Sequence, residues 1–373
     1  MGITIHQAPT GYTSAHEEVW HVVESTDKNI AGFQYVYDIY KGAELLTRVK
    51  NSPLGADKLG VLDVGNIVRS SLDSYNFPQI TVSGTSLQQV TLGADVFFTE
   101  YTILYGQVSG VAEVSGNLAS GLYTVYNNYK RSKWDKVTSE IVNGTFLTNR
   151  PKIYWYENEP VIITAFQDMT PSISANKIRY YKESNVLQFS GTINDRPRVI
   201  GILPVVGSDR LELLNDSNDV LETIYFEKKC AKYETHTLVF LNAYGVYDSF
   251  TFVHGKLMMS NEKKKFEQQR WALSGNSMVE KSGAVYNESM KTYAVKYKEK
   301  MMLTSDILST GEYNWLSELI NSPQVYYYST ENSEYYPVQI TDTDYEFKDD
   351  RINKAETLSV NIEFSTPQNT QYR

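Results

Sequence analysis

The chain has 373 residues, 41% hydrophobic and 21% charged, with 22 Gly and 11 Pro. That length predicts two or three domains, and the composition excludes a disordered or collagen-like chain. A formal net charge of −9 removes the counterion-release attraction behind most non-specific nucleic-acid affinity, so no nucleic-acid partner is expected.

No apolar run reaches the roughly 20 residues of a bilayer-spanning helix. The opening MGITIHQAPTGYTSAHEEVW lacks the basic and apolar halves of a secretory signal, so cytoplasmic synthesis without membrane insertion is expected. Cys230 is the single cysteine. It allows no intramolecular disulfide and no multi-cysteine metal site, which fits a reducing compartment.

Period-two alternation between turn residues dominates. It predicts a mainly β fold of two or three antiparallel β-sandwich-like domains with one or two short helices. Residues 33–40 and 45–50 flank Lys41-Gly42 and read as a hairpin. Asp63 is placed to cap a short helix over residues 64–72, with Ile67, Val68 and Leu72 on one side. Asn143-Gly144 accepts the positive φ angles of a two-residue turn and predicts a hairpin over residues 141–147. Residues 238–241 and 250–253, on either side of Asn242-Ala243-Tyr244-Gly245, read as half-buried strands.

Ser309 and Glu312 have the spacing of a capping box. The helix that follows, over residues 309–320, aligns Trp315, Leu316, Leu319 and Ile320 before Pro323 ends it. Leu358, Val360, Ile362 and Phe364 alternate as one more strand. Gly and Pro breaks place domain boundaries at 150 and 255, giving domains 1–150, 151–255 and 256–373.

Few residues carry a chemical signature. The five histidines, His6, His16, His21, His236 and His254, never take ligand-pair spacing, so no metal is expected. Asn215-Asp216-Ser217-Asn218-Asp219 lacks the glycine and the bidentate glutamate of a calcium loop and reads as a solvated turn. Asp342, Asp344, Asp349 and Asp350 flank strand ends, leaving calcium there open. Cys230 follows Lys228 and Lys229, which lower a thiol pKa, but strand burial is the commoner fate of such a cysteine. No phosphate-binding or dinucleotide-binding glycine motif occurs, so no cofactor and no catalytic residue is assigned.

In Tyr154-Trp155-Tyr156-Glu157-Asn158-Glu159 two carboxylates stand beside three aromatic rings. That composition suits a sugar site, and Glu157 with Glu159 would serve a glycan-cleaving enzyme if they faced a pocket. A strand edge running into a turn at Asn158 is the plainer reading. An exposed Trp155 platform would instead favour a carbohydrate-binding or adhesive module.

Tyrosine is abundant, 29 residues beside 14 Phe and 5 Trp. Tyr326, Tyr327, Tyr328, Tyr335 and Tyr336 bracket a short turn, and strand alternation points them to both faces. They are candidate interface residues, with packing inside the monomer as the equal alternative. Lys263, Lys264 and Lys265, followed by Phe266 and by Arg270-Trp271, form a basic run suited to an acidic protein surface. Residues 256–300 hold ten Lys or Arg against five Asp or Glu, whereas residues 301–373 hold four against twelve. That split predicts head-to-tail assembly of like subunits, unless the two segments neutralise each other within one domain.

Five stretches together carry a resemblance. Phe33-Gln34-Tyr35-Val36-Tyr37-Asp38 with Gly60-Val61-Leu62-Asp63-Val64-Gly65-Asn66-Ile67-Val68 opens it, and Phe240-Leu241-Asn242-Ala243-Tyr244-Gly245-Val246-Tyr247-Asp248-Ser249-Phe250 follows. Trp315-Leu316-Ser317-Glu318-Leu319-Ile320-Asn321-Ser322-Pro323-Gln324-Val325-Tyr326 and Pro337-Val338-Gln339-Ile340-Thr341-Asp342 complete it. In these the chain resembles virion structural proteins of tailed bacteriophages such as the crAss-like phages. The resemblance implies a non-enzymatic subunit of the tail, baseplate or neck, assembled in the host cytoplasm with copies of itself and other virion proteins.

Overall fold

The structure is a computed structural model. It describes residues 2–72, 77, 80, 88–91, 94–109, 112–129, 141, 144–166, 176–182, 185–191, 197–215, 217–267, 271–280, 290–342, 356–365 and 368–372. It is mainly β, with antiparallel sheets and only short helices.

The first part contains β1 (Ile3–Gln7), β2 (Trp20–Ser25), β3 (Gln34–Lys41), β4 (Glu44–Asn51), β5 (Gly60–Asp63), α1 (Gly65–Arg69), β6 (Gln88–Thr91), α2 (Ala94–Phe97), β7 (Phe98–Ser109) and β8 (Ala112–Tyr126). The sheet β1-β2-β5 packs on the sheet β4-β3-β7-β8. The expected hairpin forms as β3 and β4, turning at Gly42 (φ +58°). Tyr35, Tyr37 and Ile39 alternate into the core between the two sheets, where they meet Val23, Ile103 and Tyr105. His21 is fully buried there because both ring nitrogens find hydroxyls, Nδ1 at 2.8 Å from Tyr105 Oη and Nε2 at 2.9 Å from Tyr101 Oη. Burial lowers its pKa to about 4 and keeps the ring neutral.

The short helix is shorter than expected. Asp63 does not cap it. Its Oδ1 instead accepts the backbone N–H groups of Gly65 (2.9 Å) and Val19 (2.8 Å), which ties the helix start to the chain entering β2, and Val64 takes the N-cap position.

The middle part contains β9 (Thr145–Phe146), β10 (Ile153–Trp155), β11 (Val161–Phe166), β12 (Asn176–Lys182), β13 (Asn185–Gly191), β14 (Arg198–Ile202), β15 (Ser208–Leu214) and β16 (Val220–Lys228). Sheets β6-β14-β11-β9 and β10-β16-β15-β12-β13 face each other. Between them lie Val161, Ile163, Ile178, Tyr180, Ile200 and Leu211. The Asn143 turn lies outside the described residues; the strand that leaves it, β9, pairs with β11.

The last part contains β17 (His236–Leu241), β18 (Tyr247–Phe252), β19 (His254–Glu267), β20 (Trp271–Ser274), β21 (Ser277–Glu280), β22 (Met290–Thr304), α3 (Thr310–Trp315), α4 (Ser317–Asn321), β23 (Val325–Ser329), β24 (Glu334–Ile340), β25 (Ser359–Phe364) and β26 (Gln368–Tyr372). The order β18-β17-β23-β24-β25-β22-β19, with β26 also on β22, makes one sheet. The expected boundary at 255 therefore falls inside this sheet, within β19.

One face of the large sheet takes α3 and α4. The other meets the back of the β11 sheet. The expected half-buried strands thus become wholly buried: β17 sends Leu238 and Phe240 to the helices and Val239 and Leu241 to the β11 side. β11 is buried along its whole length for the same reason, so three sheets stack there, with the helices as a fourth layer.

The capping box forms as expected. Glu312 N donates to Ser309 Oγ (3.3 Å) and Ser309 N to Glu312 Oε2 (3.1 Å). The helix breaks at Leu316 into α3 and α4, with Trp315, Leu316 and Leu319 fully buried.

Candidate interaction surface

The tyrosine cluster is packed within the chain. In the β23–β24 ladder Tyr328 pairs with Tyr335 and Tyr327 with Tyr336. The Tyr326 ring stacks on Phe77 with centroids 4.2 Å apart, and the Tyr335 hydroxyl donates to Ile80 O at 3.0 Å. The opposite face sends Tyr327 against Phe364, with its hydroxyl 3.0 Å from His236 Nδ1. Burial pushes the Tyr327 pKa up to about 12.

Both sides of this hairpin are therefore covered by the monomer. Tyr326, Tyr327, Tyr328 and Tyr335 act as internal packing where an outward surface had been one expectation. Tyr336 is half-buried, and its hydroxyl donates to Glu334 at 2.9 Å.

The two glutamates part company. Asn158 takes a positive φ (67°) between them, which makes the turn expected from the sequence. Glu159 turns inward, where its two oxygens accept the hydroxyls of Thr235 (2.7 Å) and Thr237 (2.6 Å). Burial raises its pKa to about 7 against the opposing effect of those hydroxyl donors. Glu157 stays in solvent, 3.2 Å from Lys228 Nζ.

Both line a shallow cleft of about 350 Å³ with Lys229, exposed Cys230 and Tyr233. Trp155 is buried in the core between the two middle sheets, so it offers no platform to a sugar. Among the described residues no three His, Cys, Asp or Glu side chains gather into a metal-binding group. Asp342 accepts both N–H groups of Asn361, at 2.5 Å from the backbone nitrogen and 2.9 Å from Nδ2. Asp216, Asp344, Asp349 and Asp350 lie outside the described residues.

Lys263, Lys264 and Lys265 stand exposed on β19, the open edge of the large sheet. Its ladder with β22 runs from His254↔Thr304 to Glu267↔Met290, about 45 Å at the rise of a strand. β22 is covered on its other side by β25 and β26, up to Ala294. Beyond that point, among the described residues, β19 and β22 continue as a two-stranded ribbon from Lys265↔Thr292 to Glu267↔Met290.

The charge split is partly neutralised within the chain, since Lys298 and Lys300 both pair with Glu363 on β25. The three consecutive lysines have no such carboxylate among the described residues. Sequence reading missed the apolar character of this element. Leu257, Met259, Phe266, Trp271, Leu273, Met278 and Met290 are all exposed. The signal was present in an edge strand that interleaves methionine and leucine with lysine, but alternation alone does not tell a covered face from a bare one.

No family model and no curated protein matches the chain. Among solved structures it is similar to one titled "Biofilm associated protein - BSP domain", at 7% identity and a TM-score of 0.16. That alignment covers 81% of this chain and 63% of the other, so the chain spans less than two thirds of it. A likeness at this level carries no argument about fold or function.

Proposed function

We propose that the chain is a non-enzymatic structural subunit of a tailed-bacteriophage virion, in the tail, baseplate or neck, which joins copies of itself and other virion proteins into rings. The observation that supports this most is the β19 edge. A 14-residue strand whose outer side pairs with no strand among the described residues is a template for another strand. Its lysines disfavour pairing with a second β19 in the register that lays one run antiparallel on the other, where Lys264 would face Lys264 and Lys263 would face Lys265. They favour an acidic neighbour, which is the head-to-tail geometry that closes into a ring.

The experiment is sedimentation of purified virions probed for this chain, with a Lys263→Glu/Lys264→Glu/Lys265→Glu variant in parallel. The chain should sediment with particles, and the variant should fail to do so while remaining folded. A chain absent from particles rules the reading out. Hydrolysis of a host-surface polysaccharide by the purified protein, lost in Glu157→Gln/Glu159→Gln, would replace it with the glycan-cleaving one.

A further inference from the structure

The β20–β21 hairpin lies at the far end of the ribbon. The β19–β22 ladder starts beside the core, where Leu303 is fully buried, and ends at Glu267↔Met290. The hairpin falls in the connection between those last partners and forms a two-stranded sheet of its own. Leu273 and Met278 are direct cross-strand partners, and Trp271 shares their face two residues away. All three are bare, with exposures of 50% for Trp271, 72% for Leu273 and 57% for Met278. Phe266 and Met290, next to the ribbon's last pairs, are exposed as well.

Lys263, Lys264 and Lys265 lie two to four residues from Glu267 on the same strand, roughly 7 to 14 Å back from the ribbon's end. Exposed Leu257 and Met259 come before the lysines on this strand, and the lysines stand between them and the apolar hairpin. A tryptophan with leucine and methionine bare on one hairpin face, and nearby lysines with no carboxylate partner among the described residues, combine the two attractions that hold a protein at a bilayer surface. A stable protein interface takes about 800 Å² from each partner, and three side chains on one short hairpin supply far less. A bilayer needs no complementary pocket.

We infer that the β20–β21 hairpin is a membrane-docking tip, in which Trp271, Leu273 and Met278 enter the interfacial layer of an anionic bilayer while Lys263, Lys264 and Lys265 sit at its headgroups. This does not depend on the assembly role proposed above. It describes peripheral contact through a hairpin, and no described helix is long and apolar enough to cross a membrane.

The test is flotation of the full chain with vesicles of phosphatidylglycerol and phosphatidylcholine, against phosphatidylcholine alone. The chain should float with the anionic vesicles, and its tryptophan emission should shift to the blue on binding. Trp271→Phe should remove that shift while flotation persists. Leu273→Asp/Met278→Asp should abolish flotation, and the triple lysine-to-glutamate variant should weaken it by at least about a hundredfold, at roughly fivefold per lysine.

All these positions are exposed, so each variant should keep the parent melting temperature. Absence of flotation in the parent, or flotation unchanged by the aspartates, overturns the inference. It is also overturned if the aspartates leave lipid binding intact but abolish concentration-dependent self-association, which would make the tip a protein contact.

Discussion

The guanidinium carbon of Arg150 lies 5.2 Å from the centre of the Trp315 ring, which ties the loop between the middle sheets to the capped helix α3. The same side chain donates from Nη1 to Ser249 O, from Nη2 to Tyr154 O and from Nε to Lys152 O, each at 3.0 Å. Trp315 completes the site by packing against Phe240 and Phe250. Trp315→Ala should lower stability by about 3 to 5 kcal/mol in denaturant unfolding. Arg150→Ala should do similar damage, about 3 to 5 kcal/mol, because it leaves buried Asp248 without its counter-charge. A loss below 1 kcal/mol in either variant would mean that this junction does not hold the layers together.

Glu159 should make stability depend on pH. Its folded pKa of about 7 lies above the value near 4.3 of an unfolded chain. Between these values the native state holds a proton that the unfolded state has released, so stability falls as pH rises through the window, on the order of 3 to 4 kcal/mol in total. Asp248, raised to about 6 by burial, adds to the slope in the same direction. Glu159→Gln should flatten the melting-temperature profile between pH 4 and 8, leaving the Asp248 part. An unchanged profile would show that Glu159 does not carry the effect.

Gly245 turns between β17 and β18 at φ +72°, and a Cβ there would stand 2.4 Å from Asn127 O. Both the conformation and the space demand glycine. Gly245→Ala should destabilise the protein by more than about 1 kcal/mol. The same variant should loosen the bond from Tyr129 N to Ala243 O (2.8 Å), which hydrogen exchange at the Tyr129 amide can read. A neutral substitution would mean that the two segments can separate freely.

The lysine run allows a split between stability and assembly. Reversing Lys263, Lys264 and Lys265 to Glu should leave the melting temperature of the isolated chain unchanged, since all three are exposed on an open edge. Assembly of the parent should slow as salt rises to physiological strength, where the Debye length shortens to about 8 Å. A destabilised monomer that still joins particles at the normal rate would move the role of these lysines inside the subunit.

What the sequence revealed depended on how local the signal was. The capping box at Ser309 and Glu312, the β3–β4 hairpin and the alternation from Leu358 to Phe364 are each determined within a few residues, and they form as read. Burial on the second face of β17 was not legible, because it comes from Ile162, Phe166 and Val199, at least 40 residues away. The tyrosine pairs looked equally fit for an outer surface. Only the arrival of Phe77 and Ile80, from a segment some 250 residues earlier, decides that they are covered. The carboxylates of Glu157 and Glu159 were legible as a pair, but their opposite orientations follow from the positive φ of Asn158.

The middle position of β11 has a consequence for how the chain reaches this state. Val-Ile-Ile-Thr-Ala-Phe is uncharged, proline-free and rich in β-branched residues, the kind of segment that self-associates when bare. Its ladder partner β14 lies some 35 residues further along, and β14's other neighbour, β6, more than 100 residues back. The strand therefore waits for distant chain to arrive before it is covered. Slow, aggregation-exposed refolding follows from such non-local pairing. Once the layers close, the amides of β11 should be among the last in the protein to exchange with solvent.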